Sequence, residues 1–127
     1  MDRKKNVLIV DDEELIVSTV SRYLSARGYA VTATTLSECA MDAIETGSFD
    51  IVITDLKMQP YSGLDIIKRL RELKFGGKIV LITAFQSEVQ ATIEALKVGC
   101  VLEKPFSLGE LLLKIQGQCD EKQAEAE

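Results

Sequence analysis

The 127-residue chain contains no histidine, and its three cysteines, Cys39, Cys100 and Cys119, are an odd number set far apart. Without histidine there is no Cys/His zinc pattern, and odd, scattered cysteines argue against a disulfide framework. Cys39 and Cys100 are read as small packed residues, as free cysteine commonly is, and Cys119 as exposed near the end of the chain. No stretch approaches the ~20 apolar residues that a membrane-spanning helix needs. The charged start leads into a short strand rather than a signal-peptide core, so the expected location is the cytoplasm. Arg3-Lys4-Lys5 is too short to supply the dense basic face on which nucleic-acid affinity rests, and no direct nucleic-acid binding is expected. A glycine-rich phosphate loop and a Walker lysine motif are also missing, which ranks a nucleotide-binding reading last.

What the chain does have is the size and composition of one globular domain, with 46% hydrophobic and 28% charged residues. The formal net charge is -5, but residues 118–127 hold four of the 20 acidic residues and one of the 15 basic ones, so the body is nearly balanced. The expected organisation is one domain over residues 1–117 and an acidic, frayed tail over 118–127.

Taken in order, the body alternates between two patterns. Val7-Leu8-Ile9-Val10 is a strand stopped by Asp11-Asp12-Glu13-Glu14. A helix follows to Arg27, with Leu15, Ile16, Val20, Tyr23 and Leu24 at helical spacing and Gly28 as its C-terminal cap. Residues 30–34 read as a second, less apolar strand near a sheet edge. Ser37 is the expected cap of a helix to about residue 46, with Ala40, Ala43 and Ile44 facing inward and Gly47 ending it. Ile51-Val52-Ile53-Thr54-Asp55 is a buried strand that delivers one carboxylate at its end. Past a loop marked by Pro60 and Gly63, the stripe Leu64, Ile67, Leu70 and Leu73 predicts a helix closed by Gly76-Gly77. A fourth strand runs over 79–82 and ends at Thr83. A helix over about 88–98, with Val89, Ile93 and Leu96 inward, stops at Gly99. A short fifth strand over 100–103 is halted by Lys104-Pro105, and Ser107 caps a last helix carrying Leu108, Leu111, Leu112 and Ile115.

Five strands alternating with five helices predict a flavodoxin-like, doubly wound α/β domain with a five-stranded parallel sheet of order 2-1-3-4-5, which places the three most apolar strands centrally. In such sheets ligands bind beyond the carboxyl ends of the strands, where the winding reverses. That rule brings Asp11, Asp12 and Asp55 together and adds Thr83 and Lys104 from the neighbouring strands. Carboxylates so crowded call for a cation. With oxygen donors only, a hard ion such as magnesium fits best. A metal, a lysine and a hydroxyl around one carboxylate suit phosphoryl transfer, with Asp55 as the nucleophile and an aspartyl phosphate as the product. Any one of these residues alone could be a simple strand or helix cap; the combination is what carries the reading.

With these motifs the chain resembles the receiver domain of bacterial two-component response regulators over about residues 5–117. The motifs are Asp11-Asp12 after an apolar strand, Asp55 followed by Leu56-Lys57-Met58 with Gly63 eight residues on, Thr83-Ala84, and Lys104-Pro105-Phe106. The resemblance implies that Asp55 accepts phosphate from the phosphohistidine of a histidine kinase or phosphotransfer protein. It implies that Asp12 and Asp55 bind magnesium directly, Asp11 partly through water, and Lys57 through its backbone carbonyl. Thr83 and Lys104 would contact the phosphoryl group, Lys104-Pro105 would be a cis peptide, and Phe85 would tune the access of water. Such a domain signals through protein contacts to a downstream target or an effector domain, catalysing only its own phosphorylation and dephosphorylation.

Three positions depart from the family pattern. Val101 stands where a tyrosine or phenylalanine is usual, so the expected route of output is Thr83 and the helix after it rather than aromatic rotation. The stretch from Gly99 to Lys104 is two residues shorter than typical, which alters the surface that family members use for homodimer pairing. Gln59-Pro60 replaces the common Pro-Gly order. These departures motivate an alternative, a receiver that binds partners without being phosphorylated. A dehalogenase-type hydrolase is disfavoured because Lys57 occupies the place of its second acid.

Overall fold

The computed structural model describes residues 4–84, 90, 94 and 97–117. Its strands are β1 (Asn6–Val10), β2 (Ala30–Thr34), β3 (Ile51–Asp55), β4 (Lys78–Thr83) and β5 (Cys100–Glu103), and its helices are α1 (Glu14–Ala26), α2 (Ser37–Thr46), α3 (Gly63–Glu72) and α4 (Leu108–Ile115). All strand pairs are parallel, and the order is β2-β1-β3-β4-β5 as expected. Of the helix expected over about 88–98, Gln90 and Glu94 are helical and exposed; Val89, Ile93 and Leu96 lie outside the described residues, as do Phe85, Cys119 and the tail.

The sheet separates two apolar layers because successive side chains of a strand point to opposite faces. Leu8, Val52 and Leu81 pack under α2 and α3, against Ala40, Ile44, Ile66 and Leu70. Val7, Ile9, Ile53 and Ile82 pack on the other face, against Val20 and Leu24 of α1 and Leu111 and Ile115 of α4. β1, β3 and β4 are buried almost throughout, whereas β2 is half-exposed, as an edge strand covered by less of the core should be.

Several helix details differ from the sequence reading. In α1 the inward stripe is Val17, Val20 and Leu24, which leaves Leu15 out of phase and 76% exposed. In α3 the buried positions are Gly63, Ile66, Ile67 and Leu70, and Leu73 lies past the last turn, exposed. Ser37 does not cap α2: it is the first helical residue, buried, and its hydroxyl accepts the Tyr61 amide at 3.1 Å. The capping boxes belong to Ser62 with Asp65 on α3 and to Ser107 with Glu110 on α4. Gly28 does take the expected left-handed turn, φ 95°, but after α3 and before Gly99 that role falls to Lys74, φ 58°, and Lys97, φ 57°. Lys104-Pro105 is cis as the resemblance implied, and so is Gln59-Pro60.

The cysteines need two corrections. Cys39 is free and exposed, because the buried face of α2 is set by Ser37, Ala40 and Ile44 and Cys39 falls off it. Cys100, at the start of β5, is buried as expected but is disulfide-bonded rather than a free thiol.

Gly63 starts α3 directly beneath the end of β3. A Cβ there would sit 2.2 Å from the Asp55 carbonyl oxygen, so only glycine permits this approach. Gly63→Ala is therefore expected to destabilise the protein by about 1–3 kcal/mol. In urea unfolding this appears as a lower midpoint at unchanged slope; an unchanged midpoint would show that the contact relaxes freely.

Candidate functional site

The site is assembled where β1 and β3 end side by side. Their register pairs Val10 with Thr54, so Asp11 and Asp55 leave the sheet as neighbours. Asp55 is fixed from both sides. The Leu56 amide donates to the Ile82 carbonyl at 2.9 Å, and the Gly63 amide returns to the Leu56 carbonyl at 2.8 Å. On the next strands, Thr83 is buried at the end of β4, and its carbonyl accepts the Lys104 amide at 2.8 Å. This bond carries Lys104 to the same edge.

One carboxylate oxygen from each of Asp11, Asp12 and Asp55 lies within 4.8 Å of the others. Asp11 is fully buried and Asp55 nearly so, while Asp12 is exposed. The Lys104 ammonium faces this group, 3.2 Å from Asp11 Oδ2 and 3.4 Å from Asp55 Oδ1, and 2.7 Å from Glu13 Oε1. Asp11 Oδ1 accepts the Glu13 amide at 2.9 Å, but Asp11 Oδ2 is buried and accepts no hydrogen bond; the lysine beside it has the distance and not the angle.

Burial pushes the Asp55 carboxyl up to about 6, and the charge on Asp11 adds to this, with Lys104 opposing. Burial likewise raises Asp11, against the pull of the Glu13 amide and Lys104. For Lys104, burial disfavours the ammonium, but the hydrogen bond to Glu13 and the charges of Asp11 and Asp55 outweigh it and hold the pKa above its ordinary value. One lysine thus offsets several acids incompletely.

A hard divalent cation fits this donor set. The donors are all oxygens, three carboxylates converge, and Asp11 Oδ2 is a buried acceptor with no donor. Lys57 is exposed beside Asp12, lining the same recess as Leu56, Met58 and Gln59. Asp11, Asp12, Asp55 and Lys104 therefore come together as their sequence positions suggested, with Thr83 and Lys57 at the borders. Val101 is half-buried against the apolar layer beneath α2 and α3. Glu13 has no role in the sequence reading, where it only helps to stop a strand. Its position directly after the Asp pair, on the sheet edge that Lys104 also reaches, was the available signal.

Comparisons with known proteins agree with this geometry. The family model described as the response regulator receiver domain matches residues 7–116. Response regulator SaeR of Staphylococcus epidermidis is 36% identical over 111 residues, covering 86% of this chain and 48% of that protein. The chain thus spans about half the length of the curated relatives it matches. Among solved structures, response regulator protein TrrA of Thermotoga maritima, in complex with Mg(2+)-BeF, is 30% identical with a TM-score of 0.78, covering 88% of this chain and 96% of that one. A response regulator protein from Burkholderia pseudomallei with a phosphorylated aspartic acid, calcium ion and citrate is 30% identical with a TM-score of 0.79, covering 97% of this chain and 73% of that one.

The raised Asp55 pKa has a stability consequence. The folded protein holds this proton more tightly than the unfolded chain does, so the associated stability is fully present below about pH 4 and is lost as pH rises through about 6. In chelator, Asp55→Asn should stabilise the protein by roughly 2–3 kcal/mol at pH 7.5 and by little at pH 4. Denaturant unfolding at the two pH values checks this, and an equal effect at both would contradict it.

Proposed function

Because the chain belongs to the response regulator receiver domain family, we propose that Asp55 accepts a phosphoryl group from the phosphohistidine of a histidine kinase or phosphotransfer protein. The observation that carries the assignment to Asp55 is the convergence of Asp11, Asp12 and Asp55 beside Lys104, with Asp11 Oδ2 buried and accepting no hydrogen bond. It also weighs against a receiver that acts only as an unphosphorylated binding module, since crowded, desolvated carboxylates cost stability that such a module has no need to spend.

In the transfer, an Asp55 carboxylate oxygen attacks phosphorus. The O–P bond forms as the P–N bond to the donor imidazole breaks, and the electron pair leaves with that nitrogen. Asp11, Asp12, Asp55 and the Lys57 backbone carbonyl would hold a divalent cation, read as magnesium, which when bound neutralises charge on the phosphoryl oxygens. Lys104, beside Asp55, supplies a second positive charge, and the Thr83 hydroxyl a donor. Asp55 must be ionised to attack, and the adjacent ammonium favours that form.

The domain occupies residues 1–117, with 118–127 as a tail. Among the described residues no helix is long and apolar enough to cross a membrane, and the domain is assigned to the cytoplasm. It is a signalling module that catalyses its own phosphorylation and dephosphorylation. It passes the signal to a downstream protein or to an effector domain of a longer chain, as a monomer or a homodimer.

Incubation with a small phosphodonor and magnesium, followed by intact mass measurement, tests this reading. One added phosphoryl group is expected on the wild type and none on Asp55→Asn or in excess chelator. Lys104→Met should slow incorporation roughly tenfold or more. Full incorporation into Asp55→Asn would overturn the assignment.

A further inference from the structure

We propose that Glu13 is a positioning residue that holds Lys104 in a resting station at the rim of the site, so that Glu13 and the incoming phosphoryl group compete for one ammonium. The inference rests on the phosphoacceptor reading of Asp55 and deepens it by assigning a residue that sets its rate. The Lys104 ammonium has three acceptors in reach and sits nearest the outermost, 2.7 Å from Glu13 Oε1 against 3.2 Å from Asp11 and 3.4 Å from Asp55. It donates a hydrogen bond to Glu13 Oε1, the shortest of the three contacts.

Among the described residues, the Glu13 side chain has no other hydrogen bond or ion pair. Glu13 is the residue at the N-terminal cap of α1, yet its carboxylate makes no capping hydrogen bond. Its backbone, by contrast, is pinned. The amide donates to Asp11 Oδ1 at 2.9 Å, and the carbonyl accepts the Ile16 and Val17 amides at 3.0 and 3.2 Å. A fixed stem thus carries a carboxylate at the surface, its side chain 59% exposed, whose partner is the lysine. Lys104 is anchored in the same manner, through its amide to the Thr83 carbonyl. Between two fixed backbones, the ammonium can be shared between Glu13 and the site by rotation of side chains alone.

When phosphorus is attacked by Asp55 and the bond to the donor nitrogen breaks, negative charge on the phosphoryl oxygens is what Lys104 must meet. The pair with Glu13 has to loosen first. Because Glu13 is largely in water, the pair is weak enough to loosen and strong enough to matter. Removing it should raise the rate of phosphoryl incorporation by roughly two- to fivefold, the range set by exposed ion pairs.

The test compares wild type, Glu13→Gln, Lys104→Met and the double variant, with a small phosphodonor and magnesium. Glu13→Gln is expected to accelerate incorporation in the wild-type background and to change nothing in Lys104→Met. Without phosphodonor, the 15N resonance of the Lys104 ammonium should shift in Glu13→Gln while the melting temperature stays close to wild type, a signature that a structural role for Glu13 would not give. An active wild type with an unaltered Glu13→Gln rate, an unshifted ammonium resonance, or a gain that persists in Lys104→Met would overturn this role and leave Asp55 as phosphoacceptor. A wild type that takes up no phosphoryl group would overturn the phosphoacceptor reading and the role built on it.

Discussion

Mutual repulsion among Asp11, Asp12 and Asp55 is the interaction on which the rest of this structure depends. Three carboxylates within 4.8 Å, two of them buried, would not persist in a chain free to relax. Adjacent parallel strands hold them in place, each ending at the same edge of the sheet. Lys104 relieves part of the repulsion from beside Asp11 and Asp55, and burial, with the remaining charge of Asp11 adding to it, keeps the pKa of Asp55 raised. The same repulsion makes the site receptive to a cation and an anionic group that arrive together, because each would offset what the other adds.

The fold supplies the rigidity that this arrangement demands. Apolar layers on both faces leave β1 and β3 no freedom to slide, since a shift by one residue would turn each buried side chain to the wrong layer. Gly63 lets α3 begin against the Asp55 carbonyl, and the Ser62 capping box fixes the start of that helix. The exposed acids nearby are free of such constraints. Glu13 presents an exposed carboxylate from a pinned backbone, whereas Asp11 and Asp55 are buried.

The sheet and the convergence of the acids were legible in the sequence because both follow from apolar runs that end in polar residues. Four of the five strands are apolar enough to be placed by eye, and the half-exposed β2 betrays itself by Thr32 and Thr34. Helix phase was less legible. Leu15 and Leu73 satisfy a loose periodicity, yet burial is decided by which stripe meets the sheet, and that stripe runs through Val17 in α1 and Ile66 in α3. The capping box of Ser62 and Asp65 straddles the boundary between the loop marked by Pro60 and Gly63 and the helix stripe that starts at Leu64, which conceals it. Glu13 escaped notice because its partner is 91 residues away, and sequence spacing carries no record of a contact made only through the shared edge of a sheet.

A cation entering the carboxylate group must displace the proton that Asp55 holds below about pH 6. Calorimetric titration of the protein with magnesium, repeated near pH 6 in buffers of different ionisation enthalpy, counts the protons released. Release of an appreciable fraction of a proton near pH 6, vanishing at pH 8 and absent in Asp55→Asn, is the predicted result. Binding of magnesium with no proton release at either pH would contradict a shared site in which burial and the charge of Asp11 hold Asp55 back from ionising.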